Sequence, residues 1–159
     1  MLSKDTLPQL LAQLEFKKQG AIYSKTIGSA VLKVDTKQER IAYPDGLTVN
    51  GEFTCNFSSP ENFVVLECVH RLLEKGYKPE HIELEPKWKL GHGASGGRAD
   101  ILVSDNQKKP LLLIECKTAG REFDKAWRST LQHGDQLFSY AQQISETQFL
   151  CLGSSSNVL

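Results

Sequence analysis

The run Pro110-Leu111-Leu112-Leu113-Ile114-Glu115-Cys116-Lys117 constrains the fold of this chain most. An uninterrupted apolar stretch leads straight into an acid and a base. Preceded by the polar turn Asp105–Pro110, it reads as a strongly apolar strand. A shorter strand, Arg98–Ser104, with Ile101, Leu102 and Val103, comes just before that turn. The short turn makes the two an antiparallel hairpin, which sets the start of one strand beside the end of the next. Asp100 and Glu115, with fourteen residues between them, then become neighbours. Side chains alternate along a strand, so Glu115 and Lys117 share a face.

Two carboxylates in an otherwise apolar strand pair need a compensating cation. A hard divalent ion that prefers oxygen ligands, Mg²⁺ (or Mn²⁺), suits them. The backbone carbonyl of Cys116 adds a third oxygen, and Lys117 brings an ammonium beside the ion. This set matches the needs of phosphodiester hydrolysis. The ion polarises the phosphate and acidifies a water. The lysine orients that water and stabilises the developing charge.

The rest of the chain supports a layered α/β fold. Leu7, Leu10, Leu11 and Leu14 predict an amphipathic helix over Thr6–Gln19, closed by Gly20. Alternation with a turn at Gly28 predicts strands at Ile22–Ile27, Ala30–Asp35 and Arg40–Tyr43. Asp45-Gly46 and Asn50-Gly51 mark a loop-rich bridge. Ser59 as N-cap and Pro60 as first residue open a largely buried helix that runs to about Lys75, with Gly76 as its C-cap. A strand is expected within His81–Leu90, a helix over Phe123–Ser145 and a last strand at Gln148–Leu152. The expected architecture is an α/β/α core with a mixed central sheet (residues 58–159), preceded by an N-terminal helix and β-hairpin subregion (residues 1–57). At 159 residues the two parts form one compact domain.

Composition removes several alternatives. Nineteen Lys plus Arg balance nineteen Asp plus Glu, so the chain has no overall basic footprint for nucleic acid. This counts against an autonomous, tight DNA binder and leaves open a domain that cuts DNA delivered by other domains. No apolar run is long enough for a membrane and no signal peptide opens the chain, so a cytoplasmic location is expected. The four cysteines form no CxxC pair and read as buried reduced thiols rather than a zinc site. The glycine-rich segment Gly91–Gly97 lacks the lysine of a phosphate loop. With Arg98 it reads as a flexible loop able to approach a DNA backbone. Arg121 and Lys125, with Arg128, form a local basic stretch, read either as a solvated helix face or as a backbone-contacting patch. His92 and His133 receive no role, because a lysine-centred mechanism needs no histidine.

Gly97-Arg98-Ala99-Asp100 followed by Glu115-Cys116-Lys117 resembles the D…(D/E)xK signature of restriction-endonuclease-like nucleases. More closely, the chain resembles the N-terminal nuclease domain of type I restriction enzymes. Pro60-Glu61-Asn62, Gly76-Tyr77, the run Pro110–Lys117 and Gln136-Leu137-Phe138-Ser139-Tyr140, which fits a Q-x-x-x-Y motif, carry that likeness over about Pro60–Leu152. Ala99 stands where the signature has proline. The resemblance implies that Asp100 and Glu115 bind metal and that Lys117 is the catalytic lysine. It implies an active-site glutamate at Glu61, or else Glu67, and positioning roles for Gln136 and Tyr140. The implied activity is that of a Mg²⁺-dependent endonuclease on DNA. The implied partners are the motor, methyltransferase and specificity parts of a restriction–modification complex, with this chain a fragment of a longer protein. A nuclease fused to an adenine methyltransferase fits equally. A non-catalytic DNA-binding or scaffold module of the same fold is the reading from a different class, and a repair or RNA nuclease on the fold is a third.

Overall fold

The computed structural model describes residues 2–87, 99–133 and 147–155. Helix α1 (Leu7–Gln13) buries Leu7, Leu10 and Leu11, and Leu14 just beyond it is buried too. It is shorter than the leucine spacing predicts. Helical spacing stops at Leu14, Glu15 turns the backbone at φ 58°, and Phe16 drops into the core. Lys17–Gln19 is therefore strand β1, not helix. Gly20, at φ 61°, serves the tight turn into β2 instead of capping a helix.

Strands β2 (Ile22–Ile27), β3 (Ala30–Asp35) and β4 (Arg40–Ala42) fall where alternation puts them. With β1 they form a four-stranded antiparallel meander in sequence order, larger than the expected hairpin. Leu32 and Val34 point inward, while Val31 and Lys33 face solvent. The inward face packs with α1 into the main core.

Helix α2 (Glu61–Glu74) shares that core and also packs on the second sheet. Apolar neighbours on both sides explain why most of its circumference is buried. The Ser59 hydroxyl accepts a hydrogen bond from the Glu61 N–H at 3.3 Å. At the other end Gly76, at φ 91°, lets its own N–H and that of Tyr77 bond back to Leu73 and Leu72.

The second sheet is mixed and has the order β5-β6-β7-β8-β9, with β5 at Thr48–Val49, β6 at Ile82–Leu84, β7 at Ile101–Ser104, β8 at Pro110–Thr118 and β9 at Phe149–Ser155. β5 lies in the segment read as a loop-rich bridge and pairs parallel to β6. The N-terminal 57 residues thus supply an edge of this sheet. β6 is much shorter than His81–Leu90, because Glu85 takes φ 52° and Pro86 offers no N–H. β7 and β8 form the expected antiparallel hairpin, and β9 adds in parallel beside β8.

Alternation divides β8 between two layers. Leu112, Ile114 and Cys116 join the core around α2. Leu113 meets Ala99, Leu102 and Leu150 in a second cluster. Helix α3 (Arg121–His133) also packs on β8. The rest of the helix expected to reach Ser145 lies outside the described residues. The fold is the expected α/β class, a mixed sheet with helices. Among the described residues no helix is long and apolar enough to cross a membrane.

Of the four thiols only Cys116 is fully buried; the other three are half-buried, and all are free. Cys68 on α2 meets Cys116 across the layers, sulfur to sulfur at 3.8 Å.

If α2 ties the two sheets into one cooperative unit, damage to the meander must reach the far sheet. Leu32 is fully buried. Leu32→Ala is expected to cost about 2–5 kcal/mol. Both tryptophans, Trp88 and Trp127, lie beyond α2 in sequence. Their fluorescence midpoint in denaturant is expected to fall together with the far-UV circular dichroism midpoint. A meander that melts alone would leave the fluorescence midpoint where it was.

Candidate active site

The open end of the β7–β8 hairpin gathers the charged residues. Ile101 pairs with Ile114, so Asp100 and Glu115 stand opposite each other one step further on. Asp100 is partly buried and Glu115 is buried at 6% exposure, which no carboxylate adopts without a counter-group. The Cys116 N–H donates to Asp100 Oδ2 at 2.6 Å, fixing that carboxylate against the strand. Lys117 Nζ donates to Glu115 Oε1 at 2.8 Å, so residues 115 and 117 do share a face. The first residue of α2, Glu61, brings Oε1 to 3.6 Å from the same ammonium. Three carboxylates and one lysine therefore meet where a strand end and a helix start converge.

The electrostatics are unequal. Burial pushes the Asp100 carboxyl up to about 7; the charge of Glu115 adds to this, and the bond from the Cys116 amide opposes it. For Lys117, burial alone would lower the ammonium. The hydrogen bond and charge of Glu115, then the charges of Glu61 and Asp100, outweigh it and hold Lys117 above its ordinary value. The lysine is thus kept charged, while burial and the neighbouring Glu115 hold Asp100 near its protonation point.

Of the two candidate helix glutamates, Glu61 reaches Lys117. Glu67 is buried and turned to Arg71, which donates to its Oε1 from Nε at 2.9 Å and Nη2 at 2.6 Å. Among the described residues its Oε2 has no hydrogen-bond partner. Arg121 and Lys125 lie just past β8 on α3, exposed, and line a shallow groove with Asp124, Arg128, Ser129 and Gln132. Arg98, Gln136 and Tyr140 lie outside the described residues. One carboxylate went unnoticed in the sequence: Glu85, which is buried and bonded through its backbone to Asp100. Nothing in the local pattern of residues 82–86 distinguishes it from the exposed member of an alternating pair.

A divalent ion suits this donor set. Asp100, Glu115 and the Cys116 carbonyl offer only oxygen, and burial together with the charge of Glu115 makes an ionised Asp100 costly there without a cation. Among the described residues no group of three or more His, Cys, Asp or Glu side chains could hold a metal. A site of two carboxylates and a backbone carbonyl leaves places for water and substrate phosphate, which is how Mg²⁺ is usually held.

The raised Asp100 has a thermodynamic consequence. Without metal, the native carboxyl titrates at about 7 against a reference value of 3.8. Between these values the native state holds more protons than the unfolded chain, so stability falls as pH rises through that window. Asp100→Asn keeps an acceptor for the Cys116 N–H and removes the charge. In a chelating buffer it is expected to match wild type near pH 4. Above pH 7.5 it should exceed wild type by roughly 2–4 kcal/mol, at about 1.4 kcal/mol per unit. Calorimetric melting across this range checks it; a less stable Asn variant at pH 8 would contradict the assigned environment.

The sequence profile of the family described as type I restriction enzyme R protein N terminus matches residues 60–158, more than half of the chain. The match spans α2, β6 to β9 and every candidate site residue from Glu61 to Tyr140. No curated protein matches the chain.

Proposed function

This chain belongs to the type I restriction enzyme R protein N-terminus family, and from that premise we propose that it is the DNA-cleaving domain of a restriction–modification enzyme. The reaction is metal-dependent hydrolysis of a DNA phosphodiester: water oxygen bonds to phosphorus and one P–O ester bond breaks. The observation that carries this reading is the meeting of Asp100, Glu115 and Lys117 at the open end of one hairpin.

Asp100 and Glu115, with the Cys116 carbonyl, are the residues that would hold Mg²⁺ or Mn²⁺. Such an ion supplies electrophilic polarisation of the scissile phosphate. Lys117, kept charged by Glu115 and Glu61, directs its N–H groups at the charge that builds on the phosphate oxygens. Glu61 holds the ammonium from the helix side. The Cys116 N–H fixes the Asp100 carboxylate, which limits the reorganisation needed during reaction. Arg121 and Lys125 are proposed to hold the DNA backbone near the site, and Arg98, Gln136 and Tyr140 to complete it. The remaining partners are the motor, methyltransferase and specificity parts of the complex, or an adenine methyltransferase fused to the same chain. The expected setting is the cytoplasm.

A second reading is favoured by the even balance of nineteen basic and nineteen acidic residues: a non-catalytic DNA-binding or scaffold module. Cleavage separates the two. Supercoiled and linear DNA are incubated with the protein and Mg²⁺ or Mn²⁺, beside Asp100→Ala and Lys117→Ala. The expected outcome is metal-dependent cleavage, abolished in Asp100→Ala and reduced at least about 10²–10³-fold in Lys117→Ala. Equal cleavage by all three proteins defeats the assignment.

A further inference from the structure

Glu85 sits in a position that costs the fold twice. Its backbone lies in the left-handed region at φ 52°, where non-glycine residues are strained, and its side chain is buried at 1% exposure. Two sets of bonds hold it there. Its carboxylate Oε1 accepts from the Thr54 N–H at 2.8 Å and the Thr54 hydroxyl at 3.0 Å. Its own N–H donates to the carbonyl of Asp100 at 3.0 Å. Gly51 leaves the needed room, since a Cβ there would run into Glu85 Oε2.

Thr54 belongs to a short 3-10 turn, Phe53–Cys55, that is itself pinned from two other directions. The Tyr43 hydroxyl donates to the Thr54 carbonyl at 3.2 Å. Asn62 Nδ2 donates to the Phe53 carbonyl at 2.6 Å and the Asn56 carbonyl at 2.9 Å. Asn62 follows Glu61 directly. One turn thus grips both the start of α2, which carries Glu61, and the backbone that carries Asp100. The turn lies outside residues 60–158, the stretch that the family profile matches.

We infer that Glu85 is a positioning residue for Asp100, working from the Phe53–Cys55 turn as its fixed point. This rests on the metal-site reading above. Asp100 is held at its carbonyl by Glu85 and at its carboxylate by Cys116. Losing the Glu85 carboxylate frees residue 85 to leave the left-handed region. Its N–H then swings away, and the Asp100 carboxylate loses its aim at the ion. A carboxylate that merely satisfies the core would leave ion affinity unchanged when replaced.

The test is Mn²⁺ binding by the full chain, followed by calorimetry. Glu85→Ala is expected to weaken binding about 10–100-fold, as loss of a group supporting metal ligands usually does. Glu85→Gln keeps an oxygen acceptor for both Thr54 donors and is expected to stay within about threefold of wild type. Thr54→Val, which leaves the Glu85 carboxylate and the Thr54 N–H bond in place, removes one donor and is expected to weaken binding by about three- to tenfold. Val34→Ala, a cavity in the meander that removes none of these hydrogen-bonding groups, is expected to bind like wild type. Unchanged affinity in Glu85→Ala and Thr54→Val, or an equal loss in Val34→Ala, overturns the inference alone. A wild type that binds no Mn²⁺, or binding that survives Asp100→Ala, overturns the metal-site reading and this inference with it.

Discussion

The hydrogen bond from the Cys116 amide to the Asp100 carboxylate, 2.6 Å long, joins the two strands that carry the charged residues. It does for a carboxyl what a ladder bond does for a carbonyl, and it extends the β7–β8 pairing one step past the last paired residues. It also sets a conflict. The same fold that supplies this amide buries Asp100 beside Glu115, and burial wins: the carboxyl is held up to about 7. A partly buried and a buried carboxylate stand side by side, and the Lys117 ammonium bonds to only the second of them. A divalent ion is the most economical remedy, and on the proposed reading it is also the reagent. The local instability and the chemistry are one arrangement seen at two levels.

The remaining architecture serves that corner. Helix α2 shares its core with the meander and packs on the mixed sheet, which places its first residue beside the end of β8. Glu61 there lies 3.6 Å from the Lys117 ammonium. Glu115 and Glu61 together keep that lysine charged against the cost of its burial. The turn Phe53–Cys55 braces the same helix start and, through Glu85, the approach to β7. The N-terminal segment, which has no chemical motif of its own, thereby touches the site through its backbone.

How much of this was legible in the sequence depended on the length over which each signal repeats. β2, β3 and β8 have at least six residues of alternating or continuously apolar pattern, and each lies where the pattern puts it. Asp100 opposite Glu115 followed from a short turn and the geometry of a hairpin. β1 and β5 carry no alternation, since Lys17–Gln19 is wholly polar and exposed and Thr48–Val49 has two residues, and only their partners across the sheet make them strands. The α1 boundary was missed because Gly20 suits a helix end and a hairpin turn equally. Glu61 and Glu67 could not be separated by spacing alone, yet a partner for Glu67 was visible four residues on in Arg71. Glu85 was illegible, because its meaning lies in a left-handed backbone and a partner 31 residues upstream.

The Asp100–Glu115 pair is proposed to be built around a divalent ion. Crystals soaked in Mn²⁺ and measured at its absorption edge test it without reliance on catalysis. An anomalous peak is expected between the two carboxylates and the Cys116 carbonyl, with Lys117 displaced from Glu115. An empty corner at saturating Mn²⁺, with Lys117 still bonded to Glu115, or a peak only elsewhere on the chain, would contradict it.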